Sequence, residues 1–464
     1  MAPEFQDQRG AATSDPSPPL RWLTSQVMRR MVSPAAVARR RAKAEKVRRR
    51  SGARHRVEYF HQVDDGYSHL AAQLLRPLLD RYDVDLVCHL VTVARDRNLP
   101  EPDLLESLSR HDSGRVAPHY GLRFPDAAGA PAVSDVELAT RILAVTDPAS
   151  FAEDAVAVGE ALWAGDASTL ESLAARHGRT DPAAADARLQ QGNARRAKLG
   201  HYSGAMFHCG GEWYWGADRF YHLEQRLIDE GARTGADRGL VCARPGIEAG
   251  PLTDRGSLTF EIYPSLRSPY TSLIFDKAVE LARDSGVKLV VRPVLPMVMR
   301  GVSLTRQKGF YIFSDAAREA RTLGLDWGRS YDPIGNPVRN AYSLYPWARK
   351  QGKGTELLSS FMHAAFFDGV NTDNERGMRV VVENADLSWD EAKPILGNRD
   401  WEDELEQNRL AMYDFGCWGV PSFRLLDAAG KPVLALWGQD RLWLFAREIQ
   451  RLLREAAGAE GRPS

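Results

Sequence analysis

The feature that most limits how this chain can fold is an internal repeat. VEYFHQVDDGYSHL, from Val57, lies without a gap on FEIYPSLRSPYTSL, from Phe260, at a shift of 203 positions. The overlay sets Glu58 over Glu261, Tyr67 over Tyr270 and Leu70 over Leu273, and it runs on through YDVDLVCHLV over SGVKLVVRPV. At the same shift Asp112 meets Asp315, Arg115 meets Arg318 and Gly121 meets Gly324. The far ends agree as well. YSGAMFHCGGEWYWGADRFYHLEQRL and CWGVPSFRLLDAAGKPVLALWGQDRLWLFAREI each hold a glycine-containing turn, a hairpin-like pair of short runs, W-G-x-D-R and a closing amphipathic run. A duplicated chain folds each copy as the same supersecondary unit.

Between its ends each copy carries residues with apolar spacing of three and four, the mark of helices: VSDVELATRILAV and FAEDAVAVGEALWAGD in the first, GTELLSSFMHAAFFDG in the second. Each unit is therefore expected to run strand, helix, strand, helical insert, strand, strand, helix. The expected divisions are a disordered or helical basic N-terminal tail over 1–56, a first domain over 57–229, a Gly/Arg/Asp-rich linker over 230–257, a second domain over 258–456 and a tail over 457–464. At 464 residues the chain has room for two such domains.

Charge is unevenly spread. Residues 1–56 hold 14 Lys/Arg against 4 Asp/Glu, so a basic segment is joined to an acidic body in a chain of zero formal charge. VARRRAKAEKVRRR reads as a solvated basic helix. A contact with nucleic acid or an anionic surface is the secondary reading, and no aromatic residue stands between Val32 and Val57 to stack on bases. The four cysteines form no C-x-x-C and are too scattered for a disulfide framework, so a reducing, cytoplasmic setting is expected. No run is long and apolar enough for an integral membrane segment. Histidines 201, 208 and 222 with Cys209 match no metal spacing, and no metal is expected.

Ser268-Pro269-Tyr270 opens a helix directly after the strand-like LTFEIY. Proline in a first turn loses no hydrogen bond, and the start of a helix offers free amides and a positive dipole end to an anion. In isolation, a serine and a proline there are an ordinary helix cap.

Four motifs in order change that reading: Ser268-Pro269-Tyr270; Lys308-x-x-Tyr311-x-x-x-Asp315-x-x-Arg318; Gly419-Val420-Pro421; and Trp437-Gly438-Gln439-Asp440-Arg441. Together they resemble the DsbA-like branch of the thioredoxin fold, and within it the 2-hydroxychromene-2-carboxylate isomerases and kappa-class glutathione transferases. The resemblance implies an α/β chain of two tandem thioredoxin-like domains, each with a helical insertion. It also implies bound glutathione, because R-S-P-Y stands where dithiol oxidoreductases carry C-x-x-C. Ser268 would donate to the glutathione thiolate. Val420, before a cis Pro421, would pair with the cysteinyl backbone. Gln439, Asp440 and Arg441 would take the γ-glutamyl end, and Lys308 the glycine carboxylate. Met299 stands where such proteins often have asparagine, a departure within the expected site.

The first copy departs further. Asp65-Gly66 replaces Ser268-Pro269, Leu105 replaces Lys308, and Met206 is taken to replace Pro421, so the first domain is expected to be inactive. The expected partners are glutathione and an electrophilic or unsaturated small molecule, with the two domains paired within one chain or the chain forming a homodimer. The alternative is a non-catalytic scaffold of two degenerate domains, since fold does not fix function.

Overall fold

PPLRWLTSQVMRRMV places its prolines in a first helical turn, where their missing amides cost nothing. In a computed structural model of the chain, which describes residues 15–125, 129–235, 239–302 and 304–460, this segment is helix α1 (Pro18–Val32) and the basic segment after it is α2 (Pro34–Ser51). Residues 1–14, part of the expected disordered segment, lie outside the described residues. In the rest of that segment α1 is packed, whereas α2 buries no residue, as expected of a solvated basic helix. Met28, Met31 and Val32 of α1 pack against Phe313, Ala317 and Trp327, and on α2 Arg41 holds Glu212 in a bidentate pair at 2.7 and 2.8 Å. The spacing that builds this inner face of α1 had been masked by the arginines between.

Contacts divide the chain into two units. The first is Ala38–Pro245; the second joins the residues up to Val37 to those from Gly246 onward. In the first unit, HRVEYFHQ and VDLVCHLV hold β-branched and aromatic residues suited to a buried pleated surface. They form β1 (His55–Gln62) and β2 (Val84–Val91), paired in parallel. The crossover such a pair requires is made by α3 (Gly66–Ala72) and α4 (Leu75–Arg81). The insert follows as α5 (Pro102–Val116), α6 (Val133–Val145), α7 (Phe151–Trp163), α8 (Ala167–His177) and α9 (Pro182–Leu199). The hairpin β3 (Met206–Cys209) and β4 (Glu212–Trp215) and helix α10 (Gly216–Asp229) close the unit. The expected linker is partly core: Cys242 is buried, and Glu224 accepts from the amides of Val241 and Cys242 at 2.8 and 3.1 Å.

The second unit runs β5 (Thr259–Tyr263), α11 (Pro269–Ser285), β6 (Lys288–Val291) and α12 (Arg306–Thr322). Then come α13 (Asn336–Lys350), α14 (Gly354–His363), α15 (Glu375–Asn384), α16 (Trp389–Ala392) and α17 (Glu402–Asp414). Hairpin β7 (Ser422–Leu426) and β8 (Pro432–Trp437) leads to α18 (Leu442–Glu460), which is helical into the segment expected as a C-terminal tail. Phe260, Phe423 and Phe445 pack ring to ring in its core.

The strand orders are β2-β1-β3-β4 and β6-β5-β7-β8. His55 faces Val84 as Thr259 faces Lys288, which is the same parallel register. In the antiparallel pairs, Phe60 faces Met206 and Tyr263 faces Ser422. Met206 therefore corresponds to Ser422, and Ala205 rather than Met206 occupies the place of Pro421. The amide of Gly216 donates to Ala205 O at 2.7 Å, and that of Gly438 to Pro421 O at 2.9 Å. The sequence comparison slipped here because the first hairpin is shorter.

Each central strand buries a carboxylate. Glu58 accepts from Arg195 at 2.7 and 2.5 Å and hydrogen-bonds His89 at 2.9 Å. Glu261 accepts from Arg292 and Arg424, both at 2.5 Å. Burial pushes the Glu261 carboxyl up, and the two guanidinium bonds outweigh it and leave the group below its ordinary range.

Helix α9 reaches β2 through Gly192, where a Cβ would stand 1.9 Å from Leu90 O. Backbone cannot yield as a flexible side chain would. Gly192→Ala is expected to cost about 1–3 kcal/mol by forcing α9 off the sheet, seen as a lower urea midpoint at unchanged slope. An unchanged midpoint would show that the helix adapts freely.

Candidate functional site

Helix α11 begins where β5 ends, and Ser268 is its N-cap. Ser268 Oγ accepts from the Thr271 amide at 3.1 Å and donates to Val420 O at 3.3 Å. The second bond is long for a hydroxyl donor, so the proton is weakly held. The Val420–Pro421 peptide is cis. Pro421 O in turn accepts from Gly438, which leads into the turn Gln439–Arg441. Ser268, Val420, Pro421 and the start of the 439–441 turn are thus joined by successive hydrogen bonds at one end of the sheet.

The remaining expected residues are placed less simply. Gln439 is buried and donates to the buried Glu319 at 2.8 Å and to Asp440. Arg441 is buried, with Nη1 on Asp440 O at 3.2 Å. Asp440 is half-buried. The three form a 3-10 turn, and α18 proper starts at Leu442. Lys308 lies in the first turn of α12, capped by Thr305, about 16 Å along the helix from Glu319 at 1.5 Å per residue. Tyr270 donates to Asp315 at 2.9 Å, and Arg318 pairs with the same carboxylate at 2.6 Å. Two of the motifs thereby lock α11 to α12. Met299 is buried in the turn Met297–Arg300.

Beside Ser268 lies a support that local sequence could not announce. Arg267 forks onto Asp332 at 2.8 and 3.0 Å. The loop carrying Asp332 is held from α1: Arg21 donates to Asp332 O at 2.8 Å and Ile334 O at 2.5 Å, and the Asp332 amide donates to Ser25 Oγ at 3.0 Å. Arg21 and Asp332 are 311 positions apart, so no spacing pattern links them. Arg300, also buried, donates to Leu295 O at 2.9 Å and to Trp418 O at 3.4 Å, holding the stretch before Val420.

In the first unit Asp65 takes the place of Ser268. It caps α3, accepting from the amides of Tyr67 and Ser68 and from Ser68 Oγ. Burial pushes its carboxyl up to about 6, against those bonds. The cleft at this point, lined by Asp65, Tyr67, Leu105, Glu106, Gly204 and Trp215 among others, holds about 30 Å³. That is enclosed room for a water or two. Tyr67 donates to Asp112 at 2.8 Å, as Tyr270 does to Asp315.

Burial raises the thiols of Cys88, Cys209 and Cys242, and neither helix start carries a cysteine. Among the described residues, one group that could hold a metal gathers Glu45, His55 and Glu230. Both carboxylates there are already taken by arginines, Glu45 by Arg48 and Arg49 and Glu230 by Arg226, and those positive charges oppose a cation. No described helix is long and apolar enough to cross a membrane.

A mixed four-stranded sheet with a helix-start site facing an X-Pro bond defines a thioredoxin-type domain. Residues 259–450 match the family described as DSBA-like thioredoxin domain, and these residues are such a domain. Among solved structures, the chain is similar to a 2-hydroxychromene-2-carboxylate isomerase, with 19% identity, TM-score 0.36, and coverage of 43% of this chain and 98% of that one. It is also similar to a probable DsbA oxidoreductase from Streptomyces coelicolor, with 19% identity, TM-score 0.33, and coverage of 45% and 92%. No curated protein matches the sequence.

Proposed function

We propose that the second unit is a glutathione-dependent isomerase or transferase whose nucleophile is the thiolate of bound glutathione. The observation that carries this reading is Ser268: a hydroxyl at the N-cap of a 17-residue helix, with its proton on the long bond to Val420 O. Turned from that carbonyl to a thiolate, the same proton makes a charge-assisted bond, and the α11 amides add the positive end of the helix. The bond is worth on the order of 1.5–3 kcal/mol, about one to two units of thiol pKa. Val420 would pair with the cysteinyl backbone. Asp440, supported by Gln439 and Arg441, would take the γ-glutamyl ammonium, and Lys308 the glycine carboxylate. In the isomerase form the thiolate adds to an unsaturated carbon of a keto acid, a bond rotates in the adduct, and elimination returns the thiolate. In the transferase form it displaces a leaving group from an electrophile and stays attached.

The first unit we read as a diverged, inactive copy. Its strand order and parallel register, and the Tyr67–Asp112 bond, repeat those of the second unit. A carboxylate at Asp65 would repel a thiolate. The scaffold reading stays as the alternative, favoured by the burial of Gln439 and Arg441. A cytoplasmic location, where glutathione is abundant and reduced, is part of the proposal.

Calorimetric titration of glutathione into the intact protein, Ser268→Ala and Asp440→Ala tests it. Saturable binding is expected, weakened in Asp440→Ala. In Ser268→Ala the thiol pKa, read from the thiolate's ultraviolet absorbance, should rise by about one to two units. No binding at millimolar glutathione would sink the enzyme reading in favour of the scaffold.

A further inference from the structure

The first unit carries an open groove of about 430 Å³ on the face of its sheet away from α3, lined by Arg56, His89, Arg188, Gln191, Gly192 and Arg195. Arg188, Gln191, Gly192 and Arg195 recur at three- and four-residue intervals along α9, so they share one side of that helix. Arg56 rises from β1 and His89 from β2. Gly192 sits tight on Leu90 O and fixes the helix beside the strand, which makes the groove a built feature of the packing.

Its charge is out of balance. Glu58, at the floor, is buried and already saturated. Arg195 takes both its oxygens, His89 takes one again, and Arg56 reaches it only at 3.7 Å. Arg188 is exposed on the rim. Three guanidinium groups and an imidazole thus line a groove with one buried carboxylate at its floor, and Asp85, across from Arg56 on β2, is exposed. In the second unit the corresponding Glu261 is met by Arg292 and Arg424, and Arg424 is covered by the rings of Tyr263 and Phe415. In the first unit His208 stands where Arg424 stands, and burial lowers its pKa to about 4, so it adds no charge.

We infer that this groove binds a small molecule bearing a phosphate or an equivalent dianionic group. Guanidinium forks match the oxygens of such a group, the volume is that of a small-molecule site, and the surplus charge is that of a dianion. The six lining residues include no aromatic beyond the imidazole, which disfavours stacked bases and hence nucleic acid. The inference is independent of glutathione binding, which concerns the second unit.

The test is calorimetric titration of the full chain with inorganic phosphate and with a soluble phosphate monoester, at constant ionic strength set by chloride. An Arg56→Ala/Arg188→Ala variant removes two guanidiniums and leaves the Glu58–Arg195 pair in place. Saturable binding is expected, weakened roughly tenfold for each guanidinium removed, with circular dichroism unchanged. Conservative Arg188→Lys should restore part of the loss. Absence of binding, or binding undiminished in the double variant, would overturn the site. So would binding confined to duplex DNA or to phosphatidate vesicles, since either names a macromolecular surface in place of a small ligand.

Discussion

As the pH falls from neutral to about 5, the first unit is expected to unfold while the second remains folded. Ten of the chain's eleven histidines lie between positions 55 and 222, and the other is His363. Burial holds His61 and His201 down to about 3 and His69 to about 4, from an ordinary value of 6.5. A histidine kept neutral in the fold but free to protonate in the unfolded chain costs stability as pH drops below 6.5. At about pH 5 the loss is about 2 kcal/mol for each, about 6 kcal/mol for the three. Asp65 works in the opposite sense. Its raised carboxyl takes up a proton in the fold before it would in the unfolded chain, and it returns about 1–1.5 kcal/mol over the same interval. Glu58 is depressed, so its contribution is lost only below about 4.5, the ordinary glutamate range. The net loss of about 4–5 kcal/mol rivals the whole stability of a marginal domain. In the second unit, the hydrogen bond to Asp276 raises His363, so its contribution is fully present below 6.5 and is lost only as pH rises through the folded value. Hydrogen exchange followed by mass spectrometry, residue range by residue range, reads both units at once. Simultaneous loss of protection in both, or full protection of residues 57–229 at about pH 4, would refute the assignment of these histidines as neutral.

Arg21→Ala is the second change of large expected effect, and it acts on the other unit. The Arg21 side chain is fully buried, pairs with Asp15 at 2.6 Å and Asp373 at 3.4 Å, and ties down the carbonyls of Asp332 and Ile334. Truncation leaves these acceptors and carboxylates without their cation, a loss of about 3–5 kcal/mol. For a unit of this size that is a fall of roughly 6–20 °C in Tm. Because Asp332 also clamps Arg267 beside Ser268, glutathione affinity should drop at temperatures where the unit is still folded. Arg21→Lys, which keeps the charge but not the fork, should recover part of the stability. A melting curve unchanged in Arg21→Ala would mean that α1 is an ornament on the domain and not a part of it.

Element order was legible because strand and helix periodicities are local: the VSDVELATRILAV pattern falls on α6 (Val133–Val145). The joining of Ser268 to Val420 was legible only through the combination of four short motifs, none of them specific alone. The Ala205–Pro421 equivalence was misread by one position, because hairpin length is a matter of strand pairing and cannot be counted along the chain. The roles of Arg21, Asp332 and Arg300 were invisible. Each is a buried cation or its acceptor, and a lone arginine in sequence looks like solvated surface.

What the sequence by itself determined is therefore the periodic and the local: the order of strands and helices in each unit, a capped helix start at Ser268, and no cysteine at either helix start. The tertiary structure decided what depends on contacts between distant positions. It turned α1 of the basic N-terminal segment into a support for the second unit, committed Gln439 to Glu319, and left three arginines of the first unit lining a groove over a single buried carboxylate. Desolvation is the reason. Whether a charged side chain is solvent-exposed or a structural anchor depends on what surrounds it in space, and that is set by the whole fold.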